Sequence, residues 1–185
     1  MRNLKITLEY DGTDYCGWQV QNRLDKRSIQ ATIEKALRKI LQENIKIIAS
    51  GRTDAGVHAR AQVANFKTKS NISAEKLQLA LNGNIPEDIV ITAIEETGPG
   101  FHSRFSAKSK LYRYVILNRS YPSALLRNKV YFCRYPLNVA LMQEEAKALL
   151  GKHDFKAFCA SHSSAKDTVR RIMKIVIKRI DRKST

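Results

Sequence analysis

Cysteine is scarce in this chain and spaced for neither of its usual structural uses. Cys16, Cys133 and Cys159 are odd in number, far apart and without a Cys-x-x-Cys pair, which argues against a disulfide framework and against a zinc site. Each reads as a small buried or partly buried thiol. The histidines His58, His102, His153 and His162 also lack metal-ligand spacing, so no metal is expected. No apolar run approaches the ~20 residues that cross a bilayer, and Met1-Arg2-Asn3-Leu4-Lys5 leads into a strand pattern instead of a signal-peptide core. The expectation is a cytoplasmic protein with no membrane partner. A Walker phosphate loop, a Rossmann fingerprint and the deaminase His-x-Glu with paired cysteines are all missing, so no cofactor is expected. Acid is the last shortage: 17 Asp plus Glu stand against 33 Lys plus Arg, a net charge of +16 with pI near 10.0. A protein this basic is built to meet a polyanion, most often nucleic acid.

With 185 residues, of which 43% are hydrophobic, the chain can bury a real core as one domain or two intimately packed halves. It carries no repeat and no low-complexity linker. Leu4, Ile6, Leu8 and Tyr10 alternate with Lys5, Thr7 and Glu9, the period of a strand with one buried face. A shaped loop follows, Asp11 to Gln19, with Gly12, Gly17 and the single Trp18, which is expected to pack over a sheet edge rather than stack on a base. Ser28 caps an expected helix through Ile29, Ile33, Leu37 and Leu41, whose solvated face carries Lys35, Arg38 and Lys39. Strands are expected at 45–49 and 61–66. Ser73 caps a second helix that Gly83 ends, and Pro86 turns the chain into a strand at 89–94. This order predicts an α+β layer with helices on one face of a sheet. Further on, 108–117 and 168–180 read as strands, with Tyr112, Tyr114, Lys108 and Lys110 of one parity, and Asn138 caps a helix expected to reach Leu150 before Gly151.

The segment Gly51-Arg52-Thr53-Asp54-Ala55-Gly56-Val57-His58-Ala59 stands out. It sets a carboxylate, a guanidinium and an imidazole between two glycines, with strand patterns on both sides. In an extended backbone Arg52 and Asp54 share a side, where the cation could orient the carboxylate and hold it ionised. The plain alternative is an ordinary turn, Asp54 bonding its own backbone and Gly56 taking the left-handed position. An oriented aspartate with nearby tyrosines in a basic protein suits chemistry on a nucleobase or its glycosidic bond. RNA is preferred over DNA, because aromatic and Arg residues suit splayed bases. A base within structured RNA must be flipped out first. Two readings remain open at this point: a cofactor-free RNA-modifying enzyme, or an RNA-binding module without chemistry.

Tyr10-Asp11-Gly12-Thr13-Asp14-Tyr15-Cys16-Gly17-Trp18-Gln19, the Gly51–Ala59 segment with Gln62-Val63-Ala64, Phe101-His102-Ser103-Arg104-Phe105-Ser106-Ala107, Lys110-Leu111-Tyr112-Arg113-Tyr114, His153-Asp154-Phe155 and Thr168-Val169-Arg170 follow one another as in the tRNA pseudouridine synthase A family, which this chain resembles over nearly its whole length. The resemblance implies the pseudouridine synthase fold, two α+β halves sharing a mostly antiparallel sheet around a central basic cleft, here residues 1–105 with the catalytic loop and residues 106–185. It implies a homodimer that holds tRNA and isomerises uridines on the 3′ side of the anticodon stem-loop, family positions 38–40, without metal or small-molecule cofactor. Asp54 matches the family's catalytic aspartate, Arg52 the arginine beside it and Tyr112 the active-site tyrosine. The reaction breaks the bond from uracil N1 to the ribose, turns the base, rejoins it through C5 and releases the C5 proton. Asp54 could attack ribose C1′ or uracil C6, or stabilise charge as the bond breaks. Arg52 would pair with Asp54 and could fill the place of the flipped base, and Tyr112 could stack on the uracil and help with the C5 proton. Family chains run on past the position of Thr185 into a further strand and helix, which makes the 106–185 half incomplete by comparison. The alternative reading is a truncated, catalytically dead RNA-binding relative.

Overall fold

The computed structural model describes residues 1–20, 27–159 and 167–180; His162 and the polar tail at 181–185 lie outside them. Two compact units divide the chain, Met1–Arg113 and Tyr114–Thr185.

The N-terminal unit is built on β1 (Arg2–Tyr10), the alternating segment at the start of the chain. It pairs antiparallel with β3 (Ala59–Thr68) on one side and with β4 (Ile89–Thr97) on the other, and the short β2 (Ile48–Ala49) extends β3. The sheet order is therefore β2-β3-β1-β4, antiparallel throughout. Leu4, Ile6 and Leu8 turn to one face, where they meet Ala64 and Phe66 of β3 and Ile89, Ile91 and Ile94 of β4. Against that face lie α1 (Ile29–Leu41) and α2 (Ala74–Asn82), joined to the same core by Ile29, Ile33, Leu37, Leu77 and Leu81. Each fully buried Leu or Ile contributes roughly 1.5–3 kcal/mol by leaving water. Both helices start as the sequence predicts, with the Ser28 hydroxyl accepting from the Ala31 amide and the Ser73 hydroxyl from that of Lys76. The result is a mixed α/β layer with an antiparallel sheet.

The opposite face carries a buried polar chain. Asn65 Nδ2 donates to Asn3 Oδ1 (3.0 Å), and Asn3 Nδ2 donates to the carbonyls of Phe101 (2.9 Å) and Gly98 (3.2 Å). Ser103 donates its amide to Asn65 Oδ1 (2.9 Å) and its hydroxyl to the Ile48 carbonyl. The 98–103 loop is thereby fastened to the sheet by groups that would otherwise be left unpaired in the interior.

The strand expected at 45–49 forms only at Ile48–Ala49. Ile45 and Ile47 are buried, and the Ile47 amide donates to Glu34 Oε1 on α1 (3.0 Å) instead of joining a ladder. Helix packing has taken the backbone donor that a longer strand needs.

The C-terminal unit has β5 (Ile116–Asn118) pairing parallel with β6 (Tyr131–Cys133), then α3 (Val139–Glu145), a 3-10 turn over Ala146–Leu149, and β7 (Gly151–Asp154) antiparallel to β8 (Val169–Ile172). Three expectations are corrected here. Of 108–117 only the last two residues lie in a strand, because residues 108–115 have no ladder partner among the described residues. The strand expected at 168–180 stops at Ile172, since β7 offers four residues to pair with. The helix capped by Asn138 gives way to the 3-10 turn after Glu145, ahead of Gly151 at φ +98°. Cys159 is exposed, not buried, whereas Cys16 is buried.

Candidate active-site loop

Residues 51–58 link β2 to β3, and their backbone is held on two sides. From the sheet, the Ser50 amide donates to the Val63 carbonyl (2.8 Å), and Gln62 Nε2 donates to the Gly51 carbonyl (2.8 Å). From the loop after β1, the Trp18 amide donates to the Thr53 carbonyl (3.0 Å), and the Tyr15 carbonyl accepts from the Gly56 amide (3.3 Å). The Tyr10 phenol meets Thr53 Oγ1 at 2.9 Å; burial raises its pKa, and bonds to Thr53 and Gln62 pull it partway back. Two glycines let the loops touch. A Cβ on Gly12 would stand 2.1 Å from the Val57 carbonyl oxygen, and one on Gly17, at φ +103°, 2.3 Å from that of Thr53. Neither position tolerates a side chain without moving backbone.

Between these fixings the chain makes a four-residue turn. The Val57 amide donates to the Asp54 carbonyl (3.2 Å), and Gly56 takes φ +77° at the third position, where a type II turn calls for glycine. The turn expected as the plain alternative does form, but the Asp54 side chain is not what closes it. Among the described residues, no hydrogen bond or ion pair uses the Asp54 carboxylate, which is exposed at the first residue of the turn. Arg52 is exposed as well and forms no ion pair with Asp54, so the pairing inferred from their spacing is not made. Sharing a side of the chain is not enough to pair them where both side chains stand exposed to water. Tyr112 is 77% exposed in an irregular segment, and no hydrogen bond joins it to Asp54 or Arg52.

Several contacts at this loop were not legible in the sequence. His58 Nδ1 lies 2.9 Å from Asp11 Oδ1 and 3.1 Å from the Gly12 amide nitrogen; protonated it donates to the carboxylate, bare it accepts the Gly12 N–H. The Lys110 ammonium lies over Gly51, 2.7 Å from where a Cβ would stand, which sets a cation beside the start of the turn. Tyr15, 1% exposed, donates its hydroxyl to Asp88 Oδ1 (2.5 Å), while Arg27 reaches Asp88 Oδ2 (3.3 Å) and lies 4.9 Å from the Tyr15 ring centre. Burial first, and then the Asp88 carboxylate, push the Tyr15 phenol well above its ordinary value. It is a neutral donor. In sequence Asp88 carries no signal beyond following Pro86 in a turn. Trp18, by contrast, packs in the core beside Tyr10, ring centres 6.2 Å apart.

Comparison with known proteins leads to the same family. The profile of the family described as tRNA pseudouridine synthase matches residues 6–106 and 146–185. A tRNA pseudouridine synthase A of Thermoanaerobacter sp. (strain X514) is 45% identical over 179 residues, 97% of this chain and 72% of the relative. A tRNA pseudouridine synthase A 2 of Clostridium perfringens (strain 13 / Type A) is 49% identical over 177 residues, 96% of this chain and 72% of the relative. One of Acetivibrio thermocellus is 46% identical over 182 residues, 98% of this chain and 74% of the relative. A loop of this composition, clamped so that a single carboxylate stands free of partners among the described residues at the start of its turn, therefore occurs in a chain that belongs to the tRNA pseudouridine synthase family, a family of isomerases.

Proposed function

We propose that this chain isomerises uridine to pseudouridine on the 3′ side of the tRNA anticodon stem-loop, at family positions 38–40, with Asp54 as the catalytic carboxylate. The observation that carries the reading is the state of Asp54: its backbone is pinned through Thr53 and Gly56, while its carboxylate stays free of protein partners among the described residues. A group held in place yet uncommitted is ready to meet a flipped nucleoside, and holding it removes much of the orientational cost of attack. Arg52 and Lys110 supply cations for RNA phosphates near the turn. Tyr112, with its ring accessible, stacks on the uracil and assists loss of the C5 proton. The proposal extends to a homodimeric cytoplasmic enzyme in which residues 1–105 and 106–185 form two halves around a basic cleft.

Single-turnover conversion of an anticodon stem-loop RNA with excess protein tests this. The wild-type chain is expected to form product at positions 38–40, and Asp54→Ala to form none while its RNA affinity stays within about threefold, because a group that acts in the transition state contributes little to ground-state binding. Product from Asp54→Ala at the wild-type rate would remove Asp54 from the mechanism. RNA binding without product from the folded wild-type chain would leave the catalytically dead relative as the reading.

A further inference from the structure

We propose that Asp88 is a positioning residue for the Asp54 turn, acting through Tyr15. This rests on the reading of Asp54 as the catalytic group, and it assigns the rigidity of that group's loop to a carboxylate at the start of β4.

Asp88 holds the 11–18 loop at two points. Its carbonyl accepts the Asp11 amide (2.8 Å), which fixes the loop where it leaves β1. Its side chain accepts the Tyr15 hydroxyl (2.5 Å), which fixes the loop at its middle. Arg27 neutralises the other carboxylate oxygen (3.3 Å) and also hands its carbonyl to the Cys16 amide (3.1 Å). Tyr15 is thus tied at both ends of its length: the phenol to Asp88, and the backbone carbonyl to the Gly56 amide of the turn. No hydrogen bond or ion pair given for Asp88 reaches the turn itself.

Displacement of Tyr15 would be transmitted, because the two loops meet backbone to backbone. Gly12 faces the Val57 carbonyl and Gly17 that of Thr53 at separations with no room for a methyl group. Close-packed surfaces of this kind pass strain on instead of absorbing it. A phenylalanine at 15 would fill the same space, so packing alone does not call for the hydroxyl. A buried phenol and a partly buried carboxylate at 2.5 Å fix the ring's direction, which an apolar contact leaves free. Misplacing a catalytic group by about 1 Å costs on the order of 100-fold in rate.

The test uses the full chain with Asp88→Ala, Asp88→Asn and Tyr15→Phe, reading single-turnover rate, RNA affinity and amide hydrogen exchange of the peptide covering 51–58. For Asp88→Ala the rate is expected to fall about 10- to 100-fold, the affinity to hold within about threefold, and exchange at 51–58 to rise. Asp88→Asn keeps an acceptor for the Tyr15 hydroxyl and is expected to recover most of the rate. The double variant Tyr15→Phe/Asp88→Ala should be no slower than the slower single one, because both remove one link. Unchanged exchange at 51–58, an Asn variant as slow as Ala, or an affinity loss as large as the rate loss would each overturn the proposal. Should Asp88→Ala not fold, Asp88→Asn and Tyr15→Phe carry the same measurements. Exchange reads the link whether or not Asp54 is the catalytic group, and Asp54→Ala reads that reading alone, so the two failures are distinguishable.

Discussion

The two units of this protein are held together by different means. In Met1–Arg113 one face of a four-stranded sheet and two helices close over Leu4, Ile6, Leu8, Ile33, Leu37 and Leu81, all taken fully out of water. In Tyr114–Thr185 no described residue is buried to that degree. Its order comes from short ladders and from side chains that bind backbone, such as Asn118, whose Nδ2 donates to the carbonyls of Cys133 (2.9 Å) and Tyr135 (2.6 Å). Loops that must hold still sit on the first kind of structure. The 51–58 turn is fixed because β3 and the 11–18 loop beneath it are anchored in a core that cannot shift without opening cavities.

Truncating a core side chain tests this difference most severely. Leu37→Ala, on a fully buried position, is expected to cost roughly 2–5 kcal/mol in denaturant unfolding, and Leu141→Ala, 55% exposed on α3, within about 0.5 kcal/mol. Equal losses would show that the C-terminal unit shares a core and would end the contrast.

Glycine replacement asks the same question of the backbone. Gly17 and Gly151 both have positive φ, but a methyl at Gly17 meets the Thr53 carbonyl oxygen at 2.3 Å, and one at Gly151 meets only the His153 ring nitrogen at 3.6 Å. Gly151→Ala should cost on the order of 1 kcal/mol, the conformational term alone, while Gly17→Ala costs more and also loosens the turn. Thermal melts of the two variants, with hydrogen exchange at 51–58, separate the contributions. Exchange in the wild-type chain sharpens the comparison: amides of β1 and β3 should open only near global unfolding, and those of β7 and β8 orders of magnitude faster.

The smallest effect is electrostatic, and one carboxylate in each unit shows it. Glu43 is held below its ordinary value by the Thr68 hydroxyl and by the Lys69 and Ser70 amides, and Asp154 by the Thr168 hydroxyl and the Lys156 amide. Both bind protons less readily folded than unfolded. Their stabilisation is therefore fully present above the ordinary carboxylate range and is lost as pH falls through the lowered folded values. Glu43→Gln and Asp154→Asn should each narrow the stability gap between neutral and acidic pH. A gap unchanged by Glu43→Gln would mean that its three donors hold it no lower than solvent does.

Local signals in the sequence were enough for the first unit's elements. Alternation of Leu4, Ile6, Leu8 and Tyr10 defines β1, and Ser28, Ser73 and Gly83 bound the helices, because capping and periodicity act within a few residues of the chain. They were enough, too, to single out the Gly51–Ala59 segment and to relate it to a family. Alternation at 108–117 and 168–180 was not enough, since a strand exists only where a second strand supplies its hydrogen bonds, and that partner is a property of the whole fold. The same limit applies to the turn. Arg52 and Asp54 looked like an ion pair from their spacing, and only the assembled structure leaves both side chains exposed and not paired with each other. Asp88 is the clearest case: nothing near it in sequence points to Tyr15, 73 positions away, and only the antiparallel return of β4 beside β1 brings the carboxylate to the phenol. Composition and local pattern determined the elements, the charge and the ancestry of this protein; long-range packing decided which side chains hold the turn and which one is left free.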